Sequence, residues 1–395
     1  MVRREELIKK YPLPWTQDKI THFRQTLLAW YDKHGRDLPW RQTKNPYYIW
    51  VSEIMLQQTQ VDTVKPYYLR FIQKLPQIKD LAQASEETIM NLWQGLGYYS
   101  RVRNMQVAAQ TIMNEFGGEM PSTFEALLSL KGIGPYTAGA ISSIAFEEVQ
   151  PAMDGNLIRI VTRLFEIKED VSLTRTQHKI RAYLYQLIDP KRPGDFNQAL
   201  MDIGATIMTA TNHRPNPHPL KEFDQSYINH TSHLYPIKKA KPKASHHKIL
   251  AYHIQDSVGK ILFRRHDSSE LLTGLWHFPL VEQDIVLEGL SQDELIFPLI
   301  QSFGDDLKYL IDDLEQIRVT RAFGRIIQSP ATEIQVVKHV FSHRVWHCQV
   351  IPLEIPKNQS TDVIDGYRWI AKSELENLPI STLQKKLWQQ YYGDD

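Results

Sequence analysis

The chain of 395 residues is longer than one hydrophobic core usually organises, so two domains are expected. With 42% hydrophobic and 23% charged residues it is neither disordered nor collagen-like, and 46 Lys and Arg against 45 Asp and Glu give no overall basic excess of the kind nucleic-acid binders often carry. The single cysteine, Cys348, excludes an internal disulfide framework, a cysteine-ligated zinc and an iron–sulfur cluster of the usual cysteine-held form.

The opening stretch Met1 to Trp15 has no apolar core of signal-peptide length, and no run of roughly eighteen uncharged apolar residues follows anywhere, so a cytoplasmic protein without a membrane partner is expected. From Ile20 to about Ile207 the apolar residues recur at helical spacing, as in Phe23, Leu27, Leu28 and Tyr31. Stops fall at Gly35, Pro76, Gly97, Gly117-Gly118, Gly132 and Pro193, which predicts an almost wholly helical half.

Within that half, Asn45 followed by Pro46 signals a helix start, since Asn caps orphan N–H groups and Pro is pre-set for the first helical position. Tyr47 to Leu56 is apolar on nearly every face and predicts a buried helix with Glu53 in its middle. Desolvation there would raise the carboxyl pKa toward the range of a general acid. On this segment alone the plainer alternative is favoured, a Glu on one wet stripe paired with Lys or Arg. The four polar residues Gln57 to Gln60 suit base-edge contacts or filling of a gap in a base stack, and are equally common at solvated helix ends.

Leu127 to Ala140 carries a helix end, a Gly132-Ile133-Gly134 turn and Pro135 at the start of a second helix. Glycines there let a ligand approach the backbone, and the new helix N-terminus favours an anion such as a DNA phosphate, without reading any base. A plain helical hairpin would not require that turn. Shortly after, Asp154-Gly155-Asn156 precedes the apolar helix begun by Leu157, so Asp154 or Asn156 could simply be its cap. The same residues also supply a second carboxylate. One dry, protonated acid and one ionised acid are what cleavage through an oxocarbenium-like transition state needs.

Pro236 to Ser245 alternates lysines with prolines and small residues and predicts an extended basic linker. Beyond His247 the pattern changes to short β-type runs at Ile249–Ile254, Lys260–Arg264, Ile334–Val340 and Trp346–Ile351, with helix expected around Leu287–Phe303 and Ser373–Leu378. The fold class expected is a mainly α N-terminal helix–hairpin–helix domain followed by a C-terminal α+β domain.

The strings Leu38–Arg41, Trp50–Val61, Leu92–Arg101, the Gly-Ile-Gly hairpin, Asp154–Asn156 and Phe196–Gly204 closely resemble, in order and spacing, the helix–hairpin–helix DNA glycosylase superfamily, and within it the adenine DNA glycosylase (MutY) family. The resemblance implies a monomeric base-excision repair enzyme of the bacterial cytosol and nucleoid. It would flip adenine out of double-stranded DNA and hydrolyse it away from opposite 8-oxoguanine or guanine. It makes Glu53 the general acid that protonates adenine at N7, Asp154 the carboxylate that stabilises the cationic sugar, and Tyr136 and Asn156 the residues that organise the two acids. Trp40 and Arg41 correspond to residues lining the adenine pocket. Gln58, Thr59 and Tyr98 correspond to groups at the gap in the stack and around 8-oxoguanine; core packing is the alternative for Tyr98. Gly132, Gly134 and Thr137 fall among the DNA-contacting residues of the hairpin. Where strand-cutting relatives carry a Schiff-base Lys, this chain has Tyr136, which implies a monofunctional glycosylase, with Lys131 the only nearby amine.

Family members commonly hold an iron–sulfur cluster on four cysteines, and here those positions fall on Met208, Pro215, His218 and Asp224, so no cofactor is expected and the chain resembles a clusterless branch. The histidines 213, 218, 230 and 233 fit no standard zinc spacing and are expected to be solvated loop residues. The region from about His247 resembles the Nudix-like domain of the same family through Gly274–Pro279. It lacks the acidic helix that would hold magnesium, which implies a binding domain. Phe341, Ser342 and His343 match its 8-oxoguanine-sensing loop, and Cys348 is expected as a buried small hydrophobe. The expected division is about 1–230 for the glycosylase domain, with the hairpin near 122–143 and the former cluster loop at 208–224. A basic linker at 231–246 and the Nudix-like domain at 247–395 follow. A lesion-binding protein without catalysis and a Nudix-type pyrophosphohydrolase are the two alternatives; the retained Glu53 and Asp154 weigh against the first, the missing metal helix against the second.

Overall fold

The structure is a computed structural model that describes residues 3–239, 243–267, 270–283, 292–310, 318–319, 336–341, 343–355 and 365–393. The chain divides into two compact units, Met1–Leu92 with Ser100–Ala240, and Trp93–Tyr99 with Lys241–Asp395.

The first unit is helical. After α1 (Arg4–Lys10), Thr16 caps α2 (Gln17–His34), which buries Ile20, Phe23, Leu27 and Leu28 on one stripe and stops at Gly35. A 3-10 turn (Pro39–Arg41) leads to α3 (Pro46–Leu56), and α4 (Val61–Lys74), α5 (Ile78–Gln83), α6 (Glu86–Trp93) and α7 (Ser100–Glu115) follow. The predicted hairpin consists of α8 (Phe124–Leu128) and α9 (Pro135–Ala145). Next come α10 (Gly155–Leu164), α11 (Thr174–Leu187), α12 (Pro193–Thr206) and the short α13 (Gln225–Ile228). Phe23 and Leu27 from α2, Leu157, Ile160 and Val161 from α10, Leu184 from α11 and Phe196, Leu200 and Ile203 from α12 meet in one core. Helix α3 packs on α9 and α9 on α12, so the segments that carry the sequence motifs lie against one another.

The described part of the lysine-rich stretch, up to Lys239, is tied to the helical unit. Val171 N–H donates to the Ile237 carbonyl (3.0 Å), Lys239 N–H reaches Asp170 Oδ2 (3.4 Å), and Tyr235 is buried. Burial of that aromatic and pairing of the backbone hold 231–239 on the helical unit, while Ser245 already opens a strand.

Among the described residues the second unit is built on an eight-stranded mixed sheet. Its spine is β1 (Ser245–Gln255) running parallel to β7 (Arg344–Glu354), in register from Ser245↔Arg344 to Gln255↔Glu354. Around them, β2 (Ile261–Arg265), β3 (Trp276–His277), β4 (Leu280–Glu282), β5 (Arg318–Val319), β6 (Val337–Val340) and β8 (Tyr367–Ile370) all pair antiparallel. Helix α14 (Gln292–Leu310) lays Leu295, Ile296 and Leu299 against Leu250, Tyr252, Ile254, Ile351 and Leu353, closing one face. Lys372–Asn377 is a 3-10 turn where helix was expected, and α15 (Thr382–Tyr392), capped by Ser381, completes the unit. Among the described residues no helix is long and apolar enough to cross a membrane.

Candidate active site

Asn45 Oδ1 accepts from Tyr47 N–H (2.9 Å) and Pro46 fills the first position of α3, as the sequence predicts. The helix buries every residue from Ile49 to Met55, so there is no wet stripe for Glu53, which is 5% exposed. Its Oε2 accepts a hydrogen bond from the Tyr136 hydroxyl, on the second residue of α9. Burial pushes the Glu53 carboxyl up to about 7; the Tyr136 bond opposes this, the charge of Asp154 adds to it, and Arg41 pulls it back. Burial likewise drives the Tyr136 phenol well above its usual value, so it stays protonated and remains a donor.

Asp154 is indeed the cap of α10: Oδ1 accepts from Leu157 N–H (2.7 Å). Capping and site chemistry are not alternatives here, because the cap bond fixes the carboxylate and leaves Oδ2 to accept from Asn156 Nδ2 (2.7 Å). Burial raises the Asp154 pKa, against the opposing pull of the Leu157 amide, Asn156 and Arg159. Arg159 Nη2 holds Asn156 Oδ1 (2.6 Å) and the Gly204 carbonyl (2.6 Å), and its Nε holds the Met208 carbonyl (2.7 Å). The loop leading to Asp154 is clamped from both sides. Asn197, fully buried, accepts from Ala152 N–H (3.1 Å) and donates to the Gln150 carbonyl (2.8 Å) and Ser143 Oγ (2.9 Å). A Cβ on Gly139 would lie 2.6 Å from the Pro151 carbonyl oxygen, and one on Gly204 2.5 Å from Asn156 Cβ, so both helices need glycine to come this close.

A cavity of about 50 Å³ lies beside Glu53, walled by Tyr136, Trp40, Arg41, Leu56 and Met201 among others; Asp154 is not part of its wall. That volume holds a few water molecules rather than a purine, so an entering base must widen it. Trp40 stands edge-on to Tyr68 at 5.3 Å, and Arg41 makes a bidentate pair with the fully buried carboxylate of Asp202 (2.5 and 2.7 Å).

The polar stretch after α3 is held from behind. Arg101 Nη1 donates to the carbonyls of Ile54 (2.8 Å), Met55 (3.3 Å) and Gln57 (2.5 Å). Gln57 Nε2 donates to Thr137 Oγ1 (3.3 Å), and Thr137 is buried, so its hydroxyl faces the protein and not a ligand outside it. Gln58 is exposed and Thr59 half-buried. Gln58 (φ 60°) and Tyr98 (φ 48°, 48% exposed) adopt the left-handed backbone that costs a residue with a Cβ about 1–2 kcal/mol. Tyr98 is therefore not packed in a core. Gly132 takes φ 80° and a Cβ there would meet Asn104 Cβ at 2.7 Å, whereas Gly134, the cap of α9, faces open space. Gly132, Gly134 and Pro135 are exposed, so the N-terminal turn of α9 lies at the surface, the kind of helix end that favours an anion.

In the second unit, Phe341 and His343 belong to the tight connection between β6 and β7. Phe341 N–H donates to the Arg344 carbonyl (2.8 Å), its ring stands edge-on to Trp346 (4.9 Å) and His339 (4.6 Å), and His343 is exposed. Ser342 lies outside the described residues. Cys348 is buried in β7, where burial pushes its thiol up to about 12.

Met208, Pro215, His218 and Asp224 are all buried and do not fit an iron–sulfur cluster. Met208 belongs to the core, and His218 Nε2 pairs with Asp224 Oδ2 (3.0 Å) while its Nδ1 accepts from Leu220 N–H (3.3 Å). Asp224 Oδ1 accepts from Ser226 Oγ (2.7 Å) and Tyr227 N–H (3.1 Å). The His218 and Asp224 side chains are thus engaged within the protein, and none of the four residues is a cysteine. The expectation of four solvated histidines fails at His218, because a carboxylate placed beside it makes burial of the ring favourable; His213 is half-buried beside Arg163 (Nη2 to Nδ1 3.4 Å), and His230 and His233 are exposed.

Sequence reasoning passed over Asp202, Asn197, Arg159 and Arg101. Asp202 carried a legible signal, being an acid inside the apolar run Phe196–Gly204, the same feature that marked Glu53.

Residues 51–190 match the family described as HhH-GPD superfamily base excision DNA repair protein, and residues 250–390 match the NUDIX domain. Adenine DNA glycosylase of Mus musculus is 34% identical over 98% of this chain and 82% of its own length, and that of Homo sapiens 34% over 95% and 75%. The Buchnera aphidicola subsp. Baizongia pistaciae protein of the same name is 42% identical over 55% of this chain and 62% of its own. Among solved structures, a thermostable thymine-DNA glycosylase is similar with a TM-score of 0.49 at 27% identity, covering 54% of this chain and 98% of that one.

Proposed function

Because this chain belongs to the adenine DNA glycosylase family, we propose that it excises adenine lying opposite 8-oxoguanine or guanine in duplex DNA, with Glu53 as general acid and Asp154 as the anion beneath the sugar. The observation that carries this reading is Glu53 itself: buried, lifted to about 7, bonded to a protonated phenol and set on a cavity wall. At neutral pH a large share of it holds a transferable proton. That proton passes to N7 of the flipped adenine, and the electron pair of the glycosidic bond leaves with the neutral base. The Asp154 carboxylate offsets the positive charge on the sugar until water adds at C1′ and loses a proton. Asn156 and the Leu157 amide hold Asp154 in place, and its pairing with them favours the ionised form.

Tyr136 cannot form a Schiff base, and Lys131 is exposed in the turn, which supports base removal without strand cleavage. The exposed glycine turn at the start of α9 supports phosphate binding, so affinity falls with salt despite the near-neutral net charge. The exposed, left-handed Gln58 suits insertion where the base has left. The second unit supplies recognition of 8-oxoguanine through Phe341–His343. The donor set at 208–224 supports a protein that works without an iron–sulfur cluster.

One duplex carrying a single adenine opposite 8-oxoguanine tests the reading. Wild type releases adenine and leaves an abasic site that breaks only with alkali; breakage without alkali overturns the monofunctional assignment. Glu53→Gln keeps DNA binding and loses roughly 10²–10⁴-fold in single-turnover rate. Normal turnover by that variant removes Glu53 from the chemistry.

A further inference from the structure

Asp202 on α12 is fully buried, yet it faces two cations. Its carboxylate accepts from Arg41 Nη1 (2.5 Å) and Nη2 (2.7 Å), from Arg36 Nε (2.6 Å) and from Arg36 N–H (2.9 Å). Charge-assisted bonds of this length, two of them a fork on one guanidinium, fix an arginine more firmly than a surface pair would. Arg41 also donates to the Arg36 carbonyl (3.2 Å), and it stands on the same cavity wall as Glu53.

We propose that Asp202 is a positioning residue for excision: it pins Arg41 on the wall of the adenine cavity and offsets its charge, so that the neighbouring Glu53 keeps its proton. The inference rests on Glu53 being the general acid. A lone cation beside a buried carboxyl favours the ionised form, whereas a cation fused to an anion acts as a dipole whose field falls off faster. The groups facing Glu53 are Tyr136 from α9, Asp154 from the cap of α10, and Arg41. Those facing the Arg41–Asp202 pair are Arg36, just beyond α2, and Tyr31 of α2, whose ring lies 5.7 Å from the Arg41 guanidinium and whose hydroxyl burial keeps protonated. Beyond Tyr31, Arg192 is already paired with Asp32 and Asp195.

The test is the pH profile of single-turnover adenine release, measured from pH 5.5 to 9 on duplex with adenine opposite 8-oxoguanine. Wild type declines through an alkaline limb near 7. Asp202→Asn moves that limb down by about one pH unit, so its rate stays within about two-fold of wild type at pH 5.5 and falls about ten-fold below it at pH 8. Asp202→Asn combined with Arg41→Gln removes anion and cation together, and its limb returns toward the wild-type position whatever its absolute rate. This double variant also leaves no unpaired Arg41 buried, so it remains measurable if the single variant does not fold. A loss of equal size at every pH, no loss at all, or a double variant with its limb still low overturns the inference. A wild type without a limb near 7, together with an active Glu53→Gln, overturns the general-acid reading and this inference with it; a normal limb left in place by Asp202→Asn overturns only this one.

Discussion

Gly204→Ala places the sharpest stress on the arrangement around Asp154. The added Cβ would lie 2.5 Å from Asn156 Cβ, 3.0 Å from Cγ and 3.1 Å from Oδ1. Ordinary contact needs about 3.5 Å or more, so α10 and α12 must separate locally by about 1 Å. Such overpacking costs about 1–3 kcal/mol, a fraction of the stability of a typical domain, and the protein stays folded at 25 °C. The consequence for chemistry is larger. Asn156 is the residue that donates to Asp154 Oδ2 and that Arg159 holds, and misplacing a reacting group by about 1 Å can reduce a rate about 10²-fold. Urea unfolding followed by circular dichroism measures the first effect, and single-turnover adenine release at saturating enzyme measures the second. Gly155→Ala is the stability control, because no atom lies within 4 Å of a Cβ built there. A Gly204→Ala protein with wild-type stability and wild-type rate would refute the idea that this close approach sets the position of Asp154.

Ser342→Ala lowers the ratio of excision rates for adenine opposite 8-oxoguanine over adenine opposite guanine, and an unchanged ratio shows that this serine is no lesion sensor. His218→Ala leaves Asp224 Oδ2 buried without its partner and costs about 1–3 kcal/mol by chemical denaturation, while iron analysis of the purified wild type finds none; stoichiometric iron would reverse the assignment of the 208–224 loop. The second unit loses stability in acid. Burial lowers His253 to about 3 and His277 well below the usual range. Both groups take up protons more readily unfolded than folded, so their contribution is intact above pH 6.5 and declines as pH falls below it. For His253 alone the loss reaches about 3 kcal/mol by pH 4, from about 1.4 kcal/mol per unit. Thermal melts at pH 7 and pH 4 read it, and equal transition temperatures would show that these rings are protonated without cost.

What was legible in the sequence was local. Asn45-Pro46 starts α3, the Gly132–Pro135 turn starts α9, and the apolar run at Tyr47–Leu56 forecasts a helix buried on every face; each signal lies within a few residues of the feature it sets. The β-type runs at 249–254 and 346–351 likewise become β1 and β7, because central strands buried on both faces are continuously apolar. Strands of two to four residues such as β3, β4, β5 and β8 carry too few positions to show a period, and they were not foreseen.

What only the tertiary structure decided is how polar groups far apart in the chain satisfy one another. On its own segment Glu53 fits a wet stripe better than a buried acid; its bond from Tyr136 and the field of Asp154 settle its surroundings, and those partners sit on other elements. Asp154 alone fits a plain cap, His218 a solvated loop, and Asp202 an ordinary helical acid. Each takes its character from a partner that the fold brings to it, because a buried charge is tolerable only where something distant in sequence answers it.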